Sequence, residues 1–461
     1  MNKKFYAFNR FAVLFGLCLL LVLSAAAQSS ALTTEQIAAK IDEYMNAAVK
    51  VDGFSGSVLV ARDGKPIFNK GYGLANVELN VANTPQTVFR LGSVTKQFTG
   101  TAVAMLQERG KLNVNDSACK YLENCPAAWQ PITIKNLLTH TGGVPNYTDF
   151  PDFGKTTVLP ITNAGMVTLL RDKPLEFAPG EKFNYSNSGY FLLGAIIEKV
   201  SGKSYADFLQ ENIFAPLGMK QTGYDVSARI IKNRAAGYAR QGGETVNASY
   251  MDMTVPGAAG ALYSTTGDLL LWDQALYTEK LVSRKTLDEI FTPFKNGYGY
   301  GWGIGKRFER REISHGGGIY GFATDISRFP DDKVTVIVLS NVQGAPAGRI
   351  SNDLSAIVFG AKYEIPKERR EIAVDPKLLE KYVGEYELAA PKIVLIFTLE
   401  NGRLFAQLAG QSKFALAAES ETVFFSKDAP VQITFIKDAQ GQTTGMTFSQ
   451  GGANIPAKKI K

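Results

Sequence analysis

The chain's strongest constraint is the distance between its strand-like segments. An apolar hairpin signal, GFSGSVLVARDGKPIFNKGYGLAN, occupies residues 53–76, with Asp63-Gly64 as its turn. The other strong strand signals come far downstream, at REISHGGG (311–318), GFATDISRFP (321–330) and KVTVIVLSN (333–341). Between them lie helical signals: TKQF onward to about Arg109, a short TIKNLLTHTGG, a strongly apolar NSGYFLLGAIIEKVSG, and TTGDLLLWDQALY. Helical spacing also precedes the hairpin, with Thr33 or Thr34 as N-cap, and follows the last strand, in AGRISNDLSAIVFG. Strands at both ends with helices between them predict one α/β domain whose sheet is assembled from distant segments.

Both ends of the chain differ from this middle. Lys3, Lys4 and Arg10 precede FAVLFGLCLLLVL, and small residues follow at Ala25-Ala26-Ala27. A basic start, an apolar run too short for a comfortable membrane span and a small-residue site together predict a secretory leader over 1–27. The expected product is an exported protein, periplasmic or secreted, with no stable membrane span after leader removal. Residues 28–360 form the main domain on this reading, and the charged, Pro-containing run 361–374 a linker. Residues 375–461 read as a small antiparallel β-domain, a barrel or sandwich, with Asn401-Gly402 marking one turn. Cys119 and Cys125 lie downstream of the leader; a disulfide and a pair of reduced thiols are both compatible with the sequence.

Composition excludes several functions. The formal charge is +7, but the first ten residues carry three of those positive charges, leaving about +4 for the rest. That is too mild a balance to argue for nucleic acid. The two histidines, His140 and His315, belong to no metal-ligand spacing, so no metal and no other cofactor is implied. GxSxG and Walker A motifs are missing.

One stretch does carry chemistry. In FRLGSVTKQF (89–98) Ser93 and Lys96 are three apart at a helix start, so the amine can reach the hydroxyl. A serine hydroxyl needs a base, and a lysine made neutral by burial can serve. On its own this pattern is also that of a capped helix with a solvated lysine. Tyr185-Ser186-Asn187 stands just before a long apolar helix, where two polar tips can aim into one site. His315-Gly316-Gly317-Gly318 ends a strand, and its glycines admit a substrate backbone.

In this order and at these distances, Ser93-x-x-Lys96, Tyr185-x-Asn187 and His315-Gly316-Gly317 resemble the three motifs of the serine β-lactamase and penicillin-binding-protein superfamily. The Tyr-x-Asn form is similar to the branch holding class C β-lactamases, D-alanyl-D-alanine carboxypeptidases, D-aminopeptidases and related esterases. LLTHTGGVPNY, FAPGEKFNYSNSGYFLLG, YGYGWGI and PDDKVTVIVLSN also look familiar for that branch. The C-terminal β-domain resembles the lipocalin-like extensions of some of these hydrolases. The resemblance implies a central antiparallel sheet flanked by helices, a helical subdomain, and a barrel-like all-β domain.

It also implies roles. Ser93 would form an acyl-enzyme, and Lys96 and Tyr185 would share its proton, the base being undecided between them. Asn187 would hold Lys96 and a substrate amide. The N–H groups of Ser93 and Gly318 would form the oxyanion hole, beside Gly317. Where the family carries a lysine and a hydroxyl in its third motif, this chain has His315 and Gly316, a weaker grip on a substrate carboxylate. That departure favours an esterase, amidase or peptidase acting on a small molecule or peptide over a β-lactamase or carboxypeptidase. A non-catalytic binding protein is a third reading. His140 reads as structural, and the oligomeric state is open.

Overall fold

A computed structural model describes residues 32–241, 244–389, 392–408, 413–427, 431–450 and 453–461. The segment read as a leader lies outside the described residues. Helix α1 (Thr34–Asp52) begins at a capping box: Thr33 Oγ1 accepts the Gln36 N–H, and Gln36 Oε1 accepts the Thr33 N–H. Strands β1 (Gly56–Arg62) and β2 (Lys65–Tyr72) form the hairpin around Asp63-Gly64, both with positive φ. Next come helices α2 (Thr95–Glu108), α3 (Asn187–Ser201) and α4 (Thr266–Ala275). Strands β3 (Gly303–Arg307), β4 (Arg310–Ile319), β5 (Phe322–Phe329) and β6 (Val334–Ser340) follow, then helix α5 (Ala347–Phe359).

The strand order is β3-β4-β5-β6-β1-β2, every pairing antiparallel. The first hairpin therefore closes onto the last strand, in register from Gly56 opposite Ser340 to Arg62 opposite Val334. Strands β5 and β6 are buried along their whole length, as their apolar sequences require for a sheet covered on both faces. One face packs α1 and α5 through Ile41, Tyr44, Val58, Val336, Ile350 and Leu354. The other carries α2, α3 and α4 and a larger cluster that includes Phe98, Leu193, Trp272 and Ile337. Arg328 of β5 is buried on that face. It pairs with Asp273 of α4 at 2.7 Å, and the same carboxylate accepts the Thr335 hydroxyl at 2.7 Å. Breaking such a pair would strand a buried charge at about 3–5 kcal/mol, so it fixes α4 to the sheet.

A third cluster lies wholly within residues 374–457. Nine strands among the described residues surround it, and Tyr382 stacks on Phe435 at 4.0 Å in its centre. Phe414–Ala415 pairs with Arg403–Leu408 at one edge of this sheet, and Ala417–Ala418 pairs with Val423–Phe425 at the other. Only Leu416 separates these two short strands, so one stretch of chain nearly closes the barrel. Residues 361–375 hold no helix or strand. From Arg369 onward the run is tied to the barrel, by Arg369–Glu419, Glu371–Lys427 and the Ile372 N–H on Ala418 O. Cys119 and Cys125 are joined in a disulfide in the helical part.

Asp325 of β5 faces α5 from within the sheet. Its carboxylate accepts from Ser327, which in turn accepts from Ser351, but burial outweighs these neighbours and pushes it up to about 6. An acid raised on folding costs stability once ionised. Here the penalty is absent below about pH 4, grows between about 4 and 6 and is complete above that. Asp325→Asn should therefore raise the unfolding free energy by about 3 kcal/mol at pH 8 and leave it nearly unchanged at pH 4. Urea unfolding at both values measures this, and equal effects at the two would contradict it.

Candidate active site

The site forms where the turn before α2, the start of α3 and the free part of β4 meet. Gly92–Val94 is a single 3-10 turn and the α-helix starts at Thr95, two residues later than a helix opening on Ser93 itself. Gly92 has φ +54°, and a Cβ there would lie 2.9 Å from Gly318 N. Gly317 is equally constrained, since its Cβ would meet Leu91 O at 2.1 Å. These two glycines let the turn lie directly against β4. The pairing of β3 with β4 stops at Gly303 opposite Ser314, so from His315 to Ile319 only one edge of β4 has a strand partner. Gly318 is exposed, and no atom within 4 Å of its would-be Cβ crowds it.

Ser93 is half-buried, whereas Lys96 is fully buried. Lys96 Nζ lies 3.0 Å from Ser93 Oγ, 2.8 Å from Asn187 Oδ1 and 2.9 Å from Ala259 O. None of these is a carboxylate, and among the described residues Lys96 makes no ion pair. Desolvation holds its ammonium well below the usual lysine range. The contacts specify what a neutral amine does there. The two carbonyl-type oxygens can only accept, so they take its two N–H donors. Its lone pair is left for Ser93, the one neighbour able to donate.

The Tyr185 phenol is influenced by the Ser93 hydroxyl, and its ring lies under Lys96 with Nζ 4.8 Å from the centroid. Burial pushes this phenol up, so it is protonated at neutral pH. Asn187 opens α3. Its N–H reaches Asn146 Oδ1 and its Nδ2 reaches Thr148 Oγ1, so the loop after LLTHTGG holds the motif in place. His315, Gly317 and Gly318 line the adjoining stretch of β4.

His315 is not an open cationic contact. Its Nδ1 is 2.6 Å from Gly316 O, which can only accept, so Nδ1 carries the proton. Nε2 then accepts from the Tyr298 hydroxyl at 2.8 Å. Burial, with Lys96 nearby, brings this imidazole down to about 3.

Three further residues belong to the site and are not marked by the motifs. His140 stacks on Tyr185 at 4.2 Å, is buried, and accepts the Ser186 N–H on Nδ1 at 3.1 Å. It adopts φ +54°, uncommon for a residue with a side chain. Tyr298, from YGYGWGI, completes the aromatic layer and orients His315. Ala259 acts through its backbone carbonyl. No sequence signal identifies Ala259, since any residue carries that group; the two rings were visible only as members of familiar phrases.

Burial also holds the His140 imidazole well below its usual range, with the charges of Lys96 and His315 as lesser causes. Burial thus favours the neutral form of both imidazoles and of the Lys96 amine. The acid limb of kcat/KM should be a single ionisation that His315→Gln leaves in place. A stopped pH–rate profile measures this, and a limb that moves with His315 would contradict it.

Comparison with known proteins agrees with this geometry. The Beta-lactamase family model matches residues 37–358, and a domain of unknown function (DUF3471) matches residues 368–457. Penicillin-binding protein 4* of Bacillus subtilis is 33% identical over 428 residues, covering 86% of this chain and 93% of its own. The octameric penicillin-binding protein homologue from Pyrococcus abyssi superposes with a TM-score of 0.66 at 25% identity, over 91% of this chain and 99% of its own. A D-stereospecific amidohydrolase from Streptomyces sp. gives 0.61 at 25% identity, over 70% of this chain and 99% of its own.

Proposed function

We propose that this chain, which belongs to the Beta-lactamase family and is a serine hydrolase, cleaves an amide or ester bond through an acyl-enzyme on Ser93. The observation that carries the proposal is the uncharged, carboxylate-free seat of Lys96, with its lone pair toward the Ser93 hydroxyl. Lys96 takes the Ser93 proton as Oγ attacks the carbonyl carbon. The Ser93 and Gly318 N–H groups receive the oxyanion, where preorganised donors contribute most. Tyr185, protonated and stacked beneath Lys96, passes a proton to the departing amine or alcohol. Lys96 and Tyr185 share one proton network, so their titrations are coupled. Water then attacks the acyl-enzyme with the same groups in reverse.

The unpartnered edge of β4 at His315–Ile319 supports an extended, peptide-like substrate that adds to the sheet by backbone hydrogen bonds. Neutral His315, with both nitrogens engaged, offers no cation for a substrate carboxylate. This favours an uncharged group beside β4, as in an amino acid amide, a blocked peptide or an ester. The amidohydrolase neighbour fits this class. β-Lactam acylation is the second reading, favoured by the penicillin-binding relative over nearly its whole length. The leader-like residues 1–27 support export, and among the described residues no helix is long and apolar enough to cross a membrane.

A fluorophosphonate probe and a fluorescent penicillin separate these readings. The fluorophosphonate should label the wild type, and Ser93→Ala should abolish labelling. Lys96→Met, which removes the amine without burying a permanent charge, should lower p-nitrophenyl ester and D-amino acid p-nitroanilide turnover by at least about 10³-fold. Labelling that survives Ser93→Ala would refute the nucleophile. Penicillin labelling at an equal rate would favour the second reading.

A further inference from the structure

Three surface loops meet beside the site and expose apolar side chains together. The Asp252 N–H bonds to Thr157 O at 2.8 Å, the Ile161 N–H reaches Thr254 Oγ1 at 2.9 Å, and the Tyr250 and Ser227 hydroxyls meet at 3.1 Å. These bonds tie residues 156–161, 226–232 and 250–254 into one surface. On it Ile230 is 92% exposed, Leu159 62% and Tyr250 53%, with Val158 and Val226 beside them. Two of the loops lead into the site: Thr148 contacts Asn187 upstream of the first, and Ala259 contacts Lys96 downstream of the last.

The Ile230 loop is basic: residues 226–232 carry Arg229 and Lys232 and no aspartate or glutamate, and the one carboxylate of the adjoining loops, Asp252, accepts from Thr254. Arg234 shares the single carboxylate of Asp225 with Arg90. Arg229 and Lys232, both exposed and flanking Ile230, make no ion pair among the described residues. An isoleucine held almost fully in water between two unpaired cations has no role in the fold. It does match an anionic interface, which takes an apolar side chain below the headgroups and pairs the cations with phosphate.

We propose that this face docks on an anionic lipid bilayer, inserting Ile230 with Arg229 and Lys232 at the headgroups. Docking is peripheral and reversible, and it holds the rim of the site against the lipid surface. A second copy of the chain or a soluble apolar peptide would fit the apolar side chains but leave the two cations without partners.

The protein's own tryptophans make the test local. Trp129, Trp272 and Trp302 are all buried. In the full chain, Ile230→Trp adds one exposed reporter, and vesicles of phosphatidylglycerol with brominated acyl chains quench a tryptophan only where it enters the lipid. The new emission should shift to the blue and be quenched by these vesicles, but not by brominated phosphatidylcholine vesicles. Adding Arg229→Glu and Lys232→Glu should lower vesicle affinity at least about tenfold, and raised salt should weaken it. Ile436→Trp, on the barrel, should stay unquenched even if the leader tethers the chain. Absence of quenching at position 230, equal quenching at 436, or quenching indifferent to the charge reversals would overturn the proposal. So would a blue shift that grows with protein concentration without vesicles, which would assign the face to self-association.

Discussion

Among the described residues Lys96 has no countercharge, and much of the architecture serves to keep it so. A solvated lysine costs nothing to ionise; one sealed beneath aromatic rings, with only carbonyl-type and hydroxyl oxygens around it, pays the full desolvation of an ammonium. Each wall of that seat comes from a different part of the chain. The turn before α2 supplies Ser93, the start of α3 supplies Asn187, and residues 257–260 supply the Ala259 carbonyl. Tyr185, Tyr190 and His140 cover it with apolar ring surface. The Lys96 ammonium would gain some attraction from the ring faces, but about 1–2 kcal/mol of that kind does not offset burial without a carboxylate.

Two close backbone approaches let the sheet share this seat. Gly92 against Gly318 and Gly317 against Leu91 bring the half-free edge of β4 beside Ser93. The six-stranded sheet gives β4 its rigidity: β5 and β6 are buried throughout, Arg328 pins α4 to the sheet through Asp273, and α5 backs the other face. Ser93 on its turn and the open edge of β4 can then keep their spacing without either moving.

Much of this was legible in the sequence. The sheet was, because long apolar runs such as Val334–Ser340 have few alternatives to a covered strand. So was the proximity of Ser93 and Lys96, because a three-residue spacing brings the pair together even where a 3-10 turn leads into the helix. The nine-stranded barrel was legible only as β-rich texture; its near-closure depends on two-residue strands around Leu416, too short to leave a pattern. His140 escaped because its place in the site comes from an unusual backbone conformation and from ring stacking across the chain. The departure at His315 was visible. Its engagement by Tyr298 and Gly316 was not, since both bonds depend on how β4 and the YGYGWGI loop pack.

The central claim is that Lys96 is an amine, not an ammonium, at the pH where the protein works. An NMR titration of ¹³C-labelled lysine side chains, with Lys96→Met to assign the signal, measures this directly. The account predicts one lysine titrating well below the ordinary value of about 10.4, and still doing so in Ser93→Ala, because burial and not the serine lowers it. A Lys96 signal that titrates with the surface lysines would contradict it.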